Sequence, residues 1–236
     1  MAAELVNMDR PANMHDHIGG LQDKVHFAPL SWFRTIATFV TPHAALGDLV
    51  KIEDDHGFLP AAADDYNVLT AYLAGEYMLF TDGIYYRCVT PTAAGEDPVT
   101  DAAKWADATS EMKGFVTLEG DFKSNTFEGE TVGSWGSNNK KFTVKAKYHG
   151  TGPEAAEIEA LLNNAEGILL TKRLVASGDP MVNQFGMEQM PSRCTGVKWA
   201  SGTPESGEAG LELTFEAIQP RLIFYDGDIL AKPIAE

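Results

Sequence analysis

The sequence predicts a mainly β protein: an antiparallel sandwich or barrel with one flanking α-helix and a small inserted β-domain. Two observations lead there. Short alternating apolar runs, punctuated by Gly, Asn, Asp and Pro, fill most of the 236 residues, and a single helical stripe interrupts them. This length supports one sizeable core with a smaller domain attached, without help from disulfides. At 44% hydrophobic residues, no run approaches the roughly 20 apolar residues that cross a bilayer, so no membrane partner is expected.

Residues 1–22 are expected to form an N-terminal arm. They lack the basic-then-apolar pattern of a secretory signal, so synthesis and folding in a cytoplasm are expected. The host domain is assigned to 23–63 and 112–236, and the inserted module to 64–111. Within the insert, Tyr77 to Phe80 and Ile84 to Val89 flank Asp82-Gly83, a strong hairpin signal. The insert carries nine acids against two bases, a balance of −7, and its flanks are small or polar residues such as Pro60-Ala61-Ala62-Ala63.

The clearest strand of the host is Lys141 to Tyr148. Phe142, Val144, Ala146 and Tyr148 fall on one face and Lys141, Thr143, Lys145 and Lys147 on the other, as a half-buried strand requires. Leu211, Leu213, Phe215 and Ala217 repeat the alternation, with Glu212, Thr214 and Glu216 outward. Between these strands, Gly152-Pro153 opens a helix whose apolar stripe is Ile158, Leu161, Leu162 and Ala165, closed by Asn163-Asn164 and Gly167. Ile168 to Leu174 reads as a central strand, and Arg221 to Tyr225, ahead of Asp226-Gly227, as the last one.

The formal charge of −16 argues against affinity for nucleic acid, because binding DNA requires cations that neutralise phosphates. An acidic surface would still let DNA slide past as a passenger. Cys88 and Cys194 stand far apart without metal or redox spacing and are expected to be buried and reduced. His15-Asp16-His17 has too few ligands for a closed metal site. Asp54-Asp55-His56 and Asp226-Gly227-Asp228 fit turn chemistry. There is no phosphate loop, nucleophile elbow or convergent carboxylate pair, so no catalytic residue, metal site or cofactor is expected and the chain is not expected to be an enzyme.

The host segments, in order, resemble phage tail tube proteins. The likeness is carried by Val25-His26-Phe27-Ala28-Pro29, Gly47 to Ile52, Gly114 to Leu118, Gly129 to Ser134 and the alternating strand to Gly150. It continues through the helix ending Leu161-Leu162-Asn163-Asn164, then Gly167 to Leu170, Gly186-Met187-Glu188 with Pro191, Ser201-Gly202-Thr203, the strand through Phe215, and Pro220 to Gly227. That resemblance implies a virion structural protein, six copies joining their sheets into a ring and rings stacking as a tube that conducts DNA. Its implied partners are itself, the tape measure, the tail terminator, the baseplate and a sheath where one exists. Its implied location is the virion tail, assembled in the host cytoplasm.

In that family a long loop commonly reaches the next ring. Ser124 to Asn139 is the candidate, with Phe127, Glu130, Trp135 and Asn138 as stacking residues. An aromatic in such polar surroundings is either an interface anchor or a turn residue tucked against its own domain. Lys141, Lys145 and Lys147 form a basic stripe, read as a solvated face or, preferably, as partners for a neighbouring subunit's carboxylates. The insert resembles a small chitin- or cellulose-binding type of module, through Tyr72 to Tyr77, Gly83 to Cys88, Pro98 and Trp105. Tyr72, Tyr86 and Trp105 would then stack on sugar rings. The favoured reading is that they form the core of a tiny β-fold. A glycan-binding surface protein, a head decoration protein and a tail terminator are the alternative functions.

Overall fold

The computed structural model describes residues 17–38, 50–60, 63–119, 125–133, 139–149, 152–175, 181–200 and 209–229. It is a mainly β structure. The strands are β1 (His17–Pro29), β2 (Phe33–Thr35), β3 (Val50–Ile52), β4 (Gly57–Phe58), β5 (Ala63–Asp65), β6 (Tyr77–Leu79), β7 (Tyr85–Cys88) and β8 (Trp105–Asp107). They continue with β9 (Val116–Glu119), β10 (Thr126–Thr131), β11 (Lys140–His149), β12 (Glu166–Val175), β13 (Val182–Phe185), β14 (Ser192–Ala200), β15 (Gly210–Gln219) and β16 (Ile223–Tyr225), with helix α1 (Pro153–Leu162) between β11 and β12.

One ten-stranded sheet folds over on itself as a sandwich. One layer runs β10-β11-β15-β14; the other runs β12-β13-β16-β3 and adds β1 and β9 beyond β12. The layers join where Glu166 and Gly167 of β12 pair with Arg193 and Ser192 of β14. Within this sheet all described pairs are antiparallel except β16 with β3. The alternation in β11 and β15 produces the expected inner faces: Phe142, Val144, Ala146, Leu211, Leu213, Phe215 and Ala217 are all buried. They meet Val25, Phe27, Leu169 and Phe185 from the facing layer in the main core, where the Phe27 and Phe215 ring centroids lie 5.4 Å apart. Helix α1 adds Leu162 to that core.

Strand β12 is buried on both faces. Leu169 points into the main core, while Ile168 and Leu170 enter a second one with Val50, Ile52, Ile223 and Tyr225. The small β2–β4 ribbon covers this second core with Phe33 and Phe58, whose rings stack at 4.7 Å. Gly167 is required where β12 passes β1: a Cβ there would sit 2.6 Å from the Phe27 ring.

Two differences from the sequence reading stand out. β1 begins at His17, so residues 17–22, expected to be arm, belong to a strand paired with β12. Strand β14 was not foreseen, because a register shift between Cys194 and Gly196 breaks its alternation. The segment expected as an insert carries its own four-stranded sheet, β5-β6-β7-β8, and its own core of Tyr72, Met78, Cys88 and Trp105. Both cysteines are buried and free.

Candidate assembly surfaces

The solvent face of the β10-β11-β15-β14 layer is a ladder of alternating charge. Register sets Glu130 of β10 opposite Lys141 of β11, Lys147 of β11 opposite Glu212 of β15, and Glu212 and Glu216 opposite Lys198 and Arg193 of β14, while Glu128 and Glu216 both face Thr143 of β11. Opposite charges on neighbouring strands attract, so the ladder supports this strand order. Lys141 Nζ lies 2.7 Å from Glu216 Oε1, and that hydrogen bond holds its ammonium above the ordinary lysine range. Lys147 faces Glu212, and Lys145 faces Thr126 and Thr214. Within the chain, the carboxylate beside Lys141 comes from the adjacent strand β15.

β10 pairs only with β11 among the described strands, and Glu128, Gly129, Glu130 and Thr131 are exposed along it. An edge strand offers unpaired backbone donors and acceptors to another chain. Of the predicted stacking residues, Glu130 lies on this edge. Phe127 turns inward instead, 5.7 Å from the Phe185 ring and packed on the main core. It is therefore a core aromatic of its own domain, because the odd positions of β10 face the same way as Val144 and Phe142. Trp135 and Asn138 lie outside the described residues, as does most of the Ser124 to Asn139 loop.

Of the sugar-binding candidates, Tyr72 and Trp105 lie in the module's own core, the reading favoured from the sequence. Tyr72 and Trp105 are 4% and 6% exposed and pack edge to face at 5.3 Å, leaving neither with an open ring for a pyranose. A domain of this size consumes its aromatics in making a core. The Tyr86 ring is half-buried against Phe80, and its hydroxyl donates to Asp82 Oδ2 at 3.2 Å.

Two polar groups that the sequence reading placed in turns or passed over are buried beneath the second core. The Ala37 amide donates to His56 Nδ1 at 3.1 Å, which leaves Nε2 as the donor to Gln184 Oε1, also at 3.1 Å. The imidazole stacks flat on Tyr225 with centroids 4.8 Å apart. Burial pushes His56 down to about 4, so it is neutral near pH 7. Gln184 Nε2 donates to the Gly186 carbonyl, the Gly186 amide to Gln219 Oε1, and Gln219 Nε2 to the carbonyls of Gln184 and Arg221. Buried and hydrogen-bonded at both ring nitrogens, His56 ties these elements together. Asp55 completes the neighbouring turn by accepting the Asp228 amide at 2.7 Å. Among the described residues, no group of three or more His, Cys, Asp or Glu side chains could hold a metal ion.

No family model, no curated protein and no solved structure matches this chain.

Proposed function

We propose that this chain is a structural virion protein that assembles into hexameric rings, stacked as a phage tail tube through which DNA leaves. The observation that carries the reading is the outer edge of β10, unpaired among the described strands, next to a face on which Lys141 already pairs with Glu216 of the same chain. Identical neighbours can continue the sheet through backbone hydrogen bonds at that edge. Closing edges between copies in a ring also removes the aggregation hazard that exposed edges pose. The acidic balance of −16 suits a conduit that must let DNA slide without sticking. The tape measure, tail terminator, baseplate and any sheath would be the other partners. Sugar recognition through the module is not supported, because Tyr72 and Trp105 are core residues.

Negative-stain electron microscopy of the purified chain across a concentration series tests the reading. Uniform rings or striated hollow tubes are expected. A particle that stays monomeric at every concentration would refute self-assembly, and one that only caps or coats another structure would favour a terminator or decoration protein.

A further inference from the structure

Arg173 lies at one end of the sandwich, on the face of β12 that also carries Leu169 and Thr171. Its guanidinium carbon sits 5.5 Å from the ring centroid of Phe127 on β10 and 5.6 Å from that of Phe224 on β16. Two aromatic faces thus clamp one cation and fix its plane, which removes much of the rotamer freedom an arginine loses on binding. Six other described cations form ion pairs with carboxylates of the chain. Arg173 has no such pair among the described residues, and its buried Nε has no hydrogen-bond partner there either. Directly beneath it, Thr171 and its cross-strand partner Asn183 are both fully buried, and Thr171 Oγ1 and both amide atoms of Asn183 are likewise without hydrogen-bond partners. Buried polar groups are normally satisfied, and the held guanidinium, whose planar fork matches the two oxygens of a carboxylate, is joined by two further donors, the Thr171 hydroxyl and Asn183 Nδ2, while Asn183 Oδ1 can only accept.

We infer that Arg173, backed by Thr171 and Asn183, is a receptor for a carboxylate side chain contributed by a second copy of this chain. Two features of the chain favour that source. Acids outnumber bases 34 to 18, so neighbours present carboxylates in excess. The clamp residue Phe127 sits on β10, the edge proposed to meet the next copy, so the receptor lies beside that contact. The inference rests on the self-assembly reading and adds to it a specific anchor.

The test compares the full wild-type chain with Arg173→Met, which keeps an unbranched apolar stem between the two rings, and Arg173→Lys. Sedimentation velocity across a concentration series should show association weakened at least about tenfold in Arg173→Met, with an unchanged near-ultraviolet spectrum reporting an intact fold. In Arg173→Lys, zero-length carbodiimide cross-linking of mixed heavy- and light-isotope copies should join the introduced lysine to an acidic residue of the other copy. Equal assembly of wild type and Arg173→Met would overturn the receptor and leave the tube reading standing. A wild type that never associates would overturn both. Cross-links only within one copy, or thermal stabilisation of the wild type but not Arg173→Met by millimolar acetate with no change in association, would assign the site to an internal or free carboxylate and overturn the second-copy source.

Discussion

Acid should loosen this fold well above the pH at which its carboxylates protonate, because His56 is held neutral. Its folded pKa of about 4 lies below the ordinary 6.5, through burial that outweighs the opposing hydrogen bond His56 donates to Gln184 and the nearby Asp55. A depressed histidine pKa means that the unfolded chain binds the proton first. Stability is therefore fully present above pH 6.5 and is lost as the pH falls towards 4. Each unit between the pH and the unfolded pKa is worth about 1.4 kcal/mol, so His56 alone removes about 2 kcal/mol at pH 5 and about 3 kcal/mol at pH 4. His26 adds a similar contribution: burial, with Lys172 and Lys24 nearby, puts it at about 4 as well, and its Nδ1 is bound to Thr117 Oγ1 at 2.9 Å. Relief of the large negative charge works in the opposite direction, so the decisive comparison is between proteins. Urea unfolding of dilute wild type and His56→Gln at pH 7 and pH 5 should show the wild type losing about 2 kcal/mol more than the variant over that interval. Parallel losses in the two proteins would refute a buried neutral His56.

Three further outcomes follow from packing and surface charge. Gly167→Ala should destabilise by at least about 1 to 3 kcal/mol in urea, since the new methyl meets the Phe27 ring and the β1 backbone, and the loss should appear as faster amide exchange in β1. Lys141→Ala should leave the urea midpoint nearly unchanged, because its bond to Glu216 is a part-exposed surface pair, and any assembly the wild type shows by electron microscopy should survive. Trp105→Ala should expose residues 63–107 to limited proteolysis while the main sheet stays protected, and the wild-type chain should fail to sediment with insoluble chitin or cellulose.

Half-buried strands were the legible part of the sequence. In Lys141 to Tyr148 and Leu211 to Ala217 one face must be apolar and the other wet, so periodicity alone locates the core side of each. The module hairpin was equally plain, since Asp82 and Gly83 supply the turn chemistry locally: Asp82 Oδ1 accepts the Ile84 amide, and Gly83 takes a positive φ of 81°. The first half of β1 was illegible because His17 to Asp23 is too polar and glycine-rich to declare a face; its pairing with β12, through two register shifts, supplies the order. Residues whose role depends on distant neighbours were not legible from their surroundings in sequence. Asp54-Asp55-His56 looks like a turn until Gln184 and Tyr225 enclose the imidazole. Phe127 looks like a loop aromatic until Phe185 and Arg173 meet it. Arg173 itself reads as one more charge on a strand, and nothing near it in sequence announces the two rings that hold it.

The double burial of β12 makes one strand the common wall of two cores. Neither core can open without stripping the other of a face, so the host domain should melt as a single cooperative unit, and the amides of Ile168 to Thr171 should exchange with solvent only when the whole domain unfolds. The module, whose aromatic core shares no residue with either, is free to follow its own local equilibrium. A particle built from such chains would combine a wall that yields only all at once with an appendage able to open and close without disturbing it.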